Sequence, residues 1–441
     1  MGKNLPILLR RAMYNLRGGF LVRPLIIAVV LGGAGALFSW MEEEYPAISS
    51  WVPVTIFPSH ADPQIAQVIL AGIAASMMTV VSIVFAILLM TLTLASMQFS
   101  PRIIVSFSKD RVTQWTLGIF LGTFSYCMAA LPAARSLPHP FAPVATVLGA
   151  MLLALLCVGW LLFFIHHISQ AISVNHIVDR IAKETESMID DIMPWPHQPE
   201  RLKQADTFES HPDQVTILNH ESGYIRFIDT RRLLALAKQY HVRVQVLRRV
   251  GHFVPAGIPL MIVSKGSRLS PERSARLLAA FDFGPTRTLQ QDVEFGVLQI
   301  VDIALKAISP AVNDPTTAIS CVDQLSRVMI RFASRQTPEE FLYDPPGVVR
   351  VSVGWIRFER LLDAAFEQIR MYSKTDVAVS LRLLRALNDI AATTPDPEFR
   401  RGLADRGLRT VTGCAEKLGP DEMKELWARQ TILESRTAVS Q

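Results

Sequence analysis

The sequence predicts a membrane α-helical protein: four transmembrane helices followed by a cytoplasmic α+β region, itself a small β-rich module plus a helical C-terminal domain. Three observations carry that class. Residues 21–168 are nearly uncharged and hold four long apolar runs, whereas 169–441 have the mixed composition of a globular protein. Within that second part the apolar period turns strand-like over 215–264 and then helical again. Over all 441 residues, 50% are hydrophobic and 19% charged, a balance too apolar for an ordinary soluble enzyme.

The elements follow in order. Residues 1–20 contain "LPILLRRAMYNLR", an amphipathic segment suited to lying on an anionic leaflet with its Arg residues among headgroups. The runs at 21–40, 66–97, 112–131 and 142–165 each reach the roughly 20 residues that span a hydrocarbon core. The first is too long and too late to be a signal peptide. Basic residues alternate across these runs: Lys3, Arg10, Arg11, Arg17 and Arg23 come first, and the next loop has none. Arg102, Lys109 and Arg111 follow, then only Arg135. The positive-inside rule places both termini in the cytoplasm. Cys127, Cys157, Cys321 and Cys414 lie in apolar or helical patterns, not at disulfide-framework or metal spacing, which fits a reduced compartment.

The transmembrane domain is expected over 21–168 and a connecting helix with linker over 169–200. The fourth span should run on as an amphipathic helix to about Ile192, where the prolines of "MPWPHQP" stop it. The β-rich module takes 201–270, with "DTRRLLALAKQY" as a helix capped by Asp229. Residues 271–441 are expected to be helical at 271–281, 289–308, 315–334, 355–372, 376–392, 398–417 and 420–435. One strand is expected among them, at 344–353.

Candidate functional residues are fewer. In the second span Gly72, Ala75, Thr79, Ser82, Ala86, Thr93 and Ser100 share one side of a helix. Small hydroxyl-bearing faces let helices approach closely, or line a water-filled path when several copies turn them to one axis. Both readings stand, and Thr79, Ser82, Ala86 and Thr93 are the pore-lining candidates. No charged side chain falls within a span away from its ends, which argues against a proton-coupled carrier. Glu42, Glu43 and Glu44 read as a solvated acidic loop in preference to a cation-collecting mouth. Gly118 and Gly122, four apart in the third span, read as a helix-packing pair.

His166, His167, Asn175, His176 and Asp179 crowd the inner edge, yet only His176 and Asp179 share a helix face, so interfacial anchoring is expected and no metal. In "ISPAVNDPTTA", Asp314 before Pro315 is a helix cap. Asn313, Thr316 and Thr317 around it are candidates for the same cap or for a polar ligand. No serine-hydrolase, zinc-protease, phosphate-loop or dinucleotide motif is present, so no catalysis and no cofactor is expected. Asp282, Asp292 and Glu294 lie near a turn without a spacing that pairs them. Arg226, Arg231, Arg232, Arg243, Arg248 and Arg249 fit an anionic leaflet as well as a nucleic acid, and the net charge of +5 does not favour the latter.

"ASMQFSPRIIVSFSKDR", "LGIFLGTFSYC" and "VDIALKAISPAVNDPTTA" together resemble the signature stretches of an uncharacterised family of predicted bacterial inner-membrane proteins. The resemblance covers nearly the whole chain and implies that location, without an activity or site residues. The expected function is a homo-oligomeric channel whose second span lines the path for ions, with the cytoplasmic region serving assembly or gating. The alternative is a membrane-anchored sensor or scaffold whose cytoplasmic region binds a ligand or protein partner.

Overall fold

Long apolar runs that meet no water must bond their own backbone, and a helix does so within one segment. The computed structural model describes residues 21–45, 47–50, 62–98, 110–136, 140–171, 173–193, 213–345, 347–394 and 396–438. It contains four such helices: α1 (Val22–Glu44), α2 (Pro63–Gln98), α3 (Arg111–Ala130) and α4 (Val144–Ala171). All four are long and apolar enough to cross a membrane, and they lie in the first of two units, Met1–Ser173.

α3 is the central helix of this unit. It buries Leu117, Phe120, Tyr126 and Cys127, and a larger share of it is buried than of the other three. Glycines allow its close approach to α1. A Cβ on Gly35 would stand 2.5 Å from the Tyr126 carbonyl oxygen, and one on Gly118 would stand 2.5 Å from Ile27 Cδ1. Gly122 lies against Leu31 in the same way. α2 lays Ala66, Leu70 and Ala74 against Tyr126, Val147 and Ala150 of α3 and α4.

Helix α4 ends at Ala171 and does not run on to Ile192 as one element. The Ser173 N–H bonds the Gln170 carbonyl three residues back, a tightening that closes a helix, and α5 (Val174–Ile192) starts anew in the second unit.

The second unit, Val174–Gln441, holds two sheets. The strands are β1 (Gln214–Leu218), β2 (Gly223–Ile228), β3 (Val244–Val246), β4 (Phe253–Val254), β5 (Pro259–Ser264), β6 (Phe281–Gly284), β7 (Phe341–Asp344) and β8 (Val348–Val353). One sheet runs β1-β5-β3-β8-β7 and the other β4-β2-β6. β3 pairs β8 in parallel, and every other pairing is antiparallel. Leu233 and Ala237 of α6 (Thr230–Tyr240) join Val244, Leu260, Val263 and Val351 in one core.

The sheets therefore reach beyond a module ending at residue 270. β6, β7 and β8 all come later, where one strand was expected. A strand pairs on both sides, and β3 bonded to β5 on one side leaves a ladder edge that β8 fills.

Helices α7 (Pro271–Leu278), α8 (Val293–Ala307), α9 (Pro315–Ala333), α10 (Phe358–Tyr372), α11 (Val377–Thr393), α12 (Pro397–Cys414) and α13 (Pro420–Ala438) complete the unit. Asp229, Asp292, Asp314, Asp376 and Asp396 each accept a backbone N–H at a helix start, which explains how local the helix boundaries are.

Helix α5 docks by two means. Its apolar face, with Ile177, Ile181 and Ile189, is buried. Its acids meet α9 and the turn after it: Arg327 bonds Glu186 at 2.9 Å and Asp179 at 3.0 Å, while Arg331 and Arg335, the latter just past the helix end, share Asp190. Thr185 sits against Gly296 of α8, where no Cβ fits.

Gly35→Val should lower the melting temperature of the detergent-solubilised protein, overpacking of this kind costing about 1–3 kcal/mol. Gly33→Val, where nothing lies within 4 Å of the new Cβ, should leave it near that of the unsubstituted protein.

Candidate functional site

The second span carries the pore candidates, and the structure fixes which way they face within the four-helix unit. Thr79, Ser82, Ala86 and Thr93 are all exposed, as are Gly72 and Ala75, while Leu70, Met77 and Val84 on the opposite side are buried among α3 and α4. Ser100 lies outside the described residues. The stripe is therefore not a packing face within the chain's own bundle. Its hydroxyls bond their own helix: Thr79 donates to the Ala75 carbonyl at 3.1 Å, Ser82 to Met78 at 3.0 Å and Thr93 to Leu89 at 2.8 Å. Bulky apolar side chains are also exposed, Ile83, Phe85 and Leu89 beside the stripe on α2, Leu25, Ile26 and Val29 on α1, and Leu155, Leu162 and Phe163 on α4.

Polar groups between the spans gather at helix ends. Glu42 is not a solvated loop residue: it is 1% exposed. Its carboxylate accepts the N–H groups of Ala145 and Thr146 at 2.7 and 2.9 Å and the Thr146 hydroxyl at 2.8 Å. The last turn of α1 thus caps the first turn of α4, where free N–H groups favour an anion. Glu43 pairs with Arg135.

At the start of α3, Asp110 accepts the backbone N–H of Thr113 at 3.1 Å and its hydroxyl at 2.7 Å, and His167 of α4 lies 3.1 Å from the same oxygen. Burial opposes ionisation of Asp110, but the Thr113 bonds and the His167 ring outweigh it and hold the carboxyl below its usual range. Among the described residues no three His, Cys, Asp or Glu side chains come together as metal ligands. Asp179 is instead bonded to Lys183 and Arg327, and Asn175 to Ser320.

Asp314 caps α9 with both oxygens, one taking the Thr317 N–H at 3.1 Å and the other the Thr317 hydroxyl at 2.6 Å. Those two bonds keep its carboxyl below the usual range. Asn313 before it adopts a left-handed φ of +50°, and the Thr316 side chain is exposed. The geometry brings Asp314 and Thr317 together and leaves Asn313 and Thr316 at the surface.

A further charged cluster pairs acids that spacing alone leaves unconnected. Arg287 holds Asp292 through two bonds of 2.7 and 2.8 Å and reaches Glu294 at 3.1 Å, and Arg249 reaches Glu294 at 3.0 Å. Burial opposes ionisation of Glu294, but Arg249 and Arg287 outweigh it and lower its pKa. Asp282 stands apart on Arg226. Arg249, Asp292, Glu294 and Trp355 line a cavity of about 30 Å³, room for a water molecule or two. Gly251, at φ +86°, lies against the cluster: a Cβ there would stand 2.8 Å from Arg287 Nη2, so the turn presses on it.

Asp314→Ala should lower stability by about 0.5–2 kcal/mol in thermal unfolding, and Asp314→Asn, which keeps an acceptor for the Thr317 N–H, by much less. The sign with pH follows from a depressed folded pKa. The ionised cap contributes fully above the unfolded Asp value, near about 3.9, and the contribution disappears as pH falls through the folded value.

Comparison with known proteins agrees with the four apolar helices. A family model described as "Predicted membrane protein (DUF2254)" matches residues 17–389. An uncharacterized protein of Mycobacterium bovis is 31% identical over 421 residues, covering 94% of this chain and 79% of the relative, and one from Mycobacterium tuberculosis is identical to the same extent. No solved structure matches. With the family model spanning most of the sequence and both mycobacterial relatives aligned over nearly all of it, the chain belongs to the DUF2254 family of predicted membrane proteins.

Proposed function

We propose that the protein is an oligomeric channel of a bacterial inner membrane, in which several copies turn the Thr79, Ser82, Ala86 and Thr93 face of α2 toward a shared axis. One observation carries this reading. That face is a narrow small, hydroxyl-bearing stripe on the outward side of α2, flanked there by Ile83, Phe85 and Leu89, while α1 and α4 present mainly bulky apolar side chains suited to lipid. Small side chains around an axis leave room for water and ions, which a lipid-facing helix does not need. Both termini lie in the cytoplasm by the alternation of Lys and Arg, and the second unit serves assembly or gating.

A membrane-anchored sensor or scaffold is the second reading. It is favoured by the bonds from Thr79, Ser82 and Thr93 to their own helix, which satisfy these hydroxyls without water.

Single cysteines at Thr79, Ser82, Ala86 and Thr93, in a background without Cys127, Cys157, Cys321 and Cys414, should react with a small charged thiol reagent in the assembled protein. A cysteine at Leu155, on the aliphatic face of α4, should be protected. Protection at all four α2 positions in an intact oligomer discards the channel and leaves the sensor. Ionic currents from purified protein in planar bilayers then decide whether a hydrated path conducts.

For orientation, a cysteine at Ser49 should be labelled from outside intact cells and one at Ser270 should not. Labelling at Ser270 reverses the topology.

A further inference from the structure

We propose that Arg248, Arg249 and Arg360 form a binding site for a phosphate-bearing anion on the second unit. The site does not depend on the channel reading.

The charge count favours an anion. Three guanidinium groups approach the single carboxylate of Glu294: Arg249 at 3.0 Å, Arg287 at 3.1 Å and Arg360 at 3.6 Å. Asp292 is already taken, by Arg287 through two bonds and by the Phe295 N–H at 3.1 Å. Arg248, next in sequence, adds a fourth guanidinium near enough to act on the His252 ring, against the two carboxylates of Asp292 and Glu294. The excess positive charge sits at the surface, since Arg360 is 66% exposed and Arg248 is exposed. Among the described residues Arg249 commits one N–H to a carboxylate and Arg360 makes only the 3.6 Å contact.

The field at the neighbouring imidazole agrees in sign. Burial, then Arg249, Arg248 and Arg360, push His252 below its ordinary pKa, and the opposing pull of Glu294 does not cancel them.

The donors are also held in place. Arg249 and His252 are the ends of a turn closed by the His252 N–H on the Arg249 carbonyl at 3.2 Å. Gly251 within that turn has φ +86° and lies so close to Asp292 and Arg287 that no side chain fits. A fixed turn reduces the ordering cost of binding.

Phosphate is the chemistry that matches. A guanidinium fork bonds two phosphate oxygens at once, and a dianion offsets an excess of two positive charges where a second carboxylate would offset one. The adjoining cavity of about 30 Å³ admits water and no organic group, so the remainder of the ligand stays outside. A soluble phosphate ester and a phospholipid headgroup share this chemistry.

The test is calorimetric titration of the full-length protein in a neutral detergent at low salt, with inorganic pyrophosphate and separately with a short-chain phosphatidic acid below its micellar concentration. Saturable binding is expected with at least one probe, weakened about tenfold by Arg248→Gln and by Arg360→Gln, each of which removes a charge-assisted contact. Arg409→Gln, an exposed arginine paired with Asp405, should leave binding unchanged. Tighter binding of pyrophosphate assigns a soluble ligand, and tighter binding of the lipid assigns a headgroup. Absence of saturation with both probes overturns the site, as does saturation that neither Arg248→Gln nor Arg360→Gln weakens in protein of unchanged melting temperature.

Discussion

A polar group inside a hydrocarbon layer has no water to bond, and the N-terminal unit is arranged around that constraint. The first turn of α4 presents N–H groups with no partner of their own, and Glu42, at the end of a different helix, supplies the acceptors. The first turn of α3 is completed by Asp110, which also holds His167. Between these ends, Trp160 donates to the Thr116 hydroxyl at 2.9 Å and Thr123 lies 3.3 Å from Cys157 Sγ, so the hydroxyls of α3 tie it to α4. Those of α2 turn inward on their own backbone. The same residue types thus hold the bundle together in one helix and leave a neutral surface on another.

The second unit handles charge differently. Its buried or half-buried arginines sit in rows against acids from other elements, α9 against α5 and the Arg249–Arg287 pair against the start of α8. Breaking one member of such a set leaves its partner charged and desolvated, which costs more than the intact pair contributes. These networks therefore specify how the elements dock, while the apolar faces of α5 and α8 supply the driving force.

The elements legible beforehand were those whose signal is local. Four long apolar runs, the Asp229 and Asp314 caps and the Gly118–Gly122 pair need only neighbours within a turn or two to be read, and α8 to α13 begin within a few residues of the expected places. Pairings between distant segments were not legible. Nothing near Glu42 in sequence shows that it meets Thr146, nor does the spacing of Asp292 and Glu294 announce Arg249. The reach of the sheet beyond residue 270 is of the same kind, because a strand's period shows its faces and not its neighbour. The direction of the α2 stripe also needed coordinates, since both sides of that helix are apolar enough to be buried.

The parallel contact of β3 with β8 sets an order of events during synthesis. Val244–Val246 emerges early and finds β5 at once, but its other edge waits for Val348–Val353, on the far side of α7, α8 and α9. Until then the nascent chain carries an open strand edge, the kind of surface that recruits a foreign strand. The β-rich part of this unit therefore does not mature as a self-contained piece ahead of the helices. It closes only after α7, α8 and α9 have left the ribosome, and non-local closure of this sort is slow. A chain cut after the first sheet strands would carry that open edge permanently, which makes the boundary near residue 270 a poor place to divide the molecule.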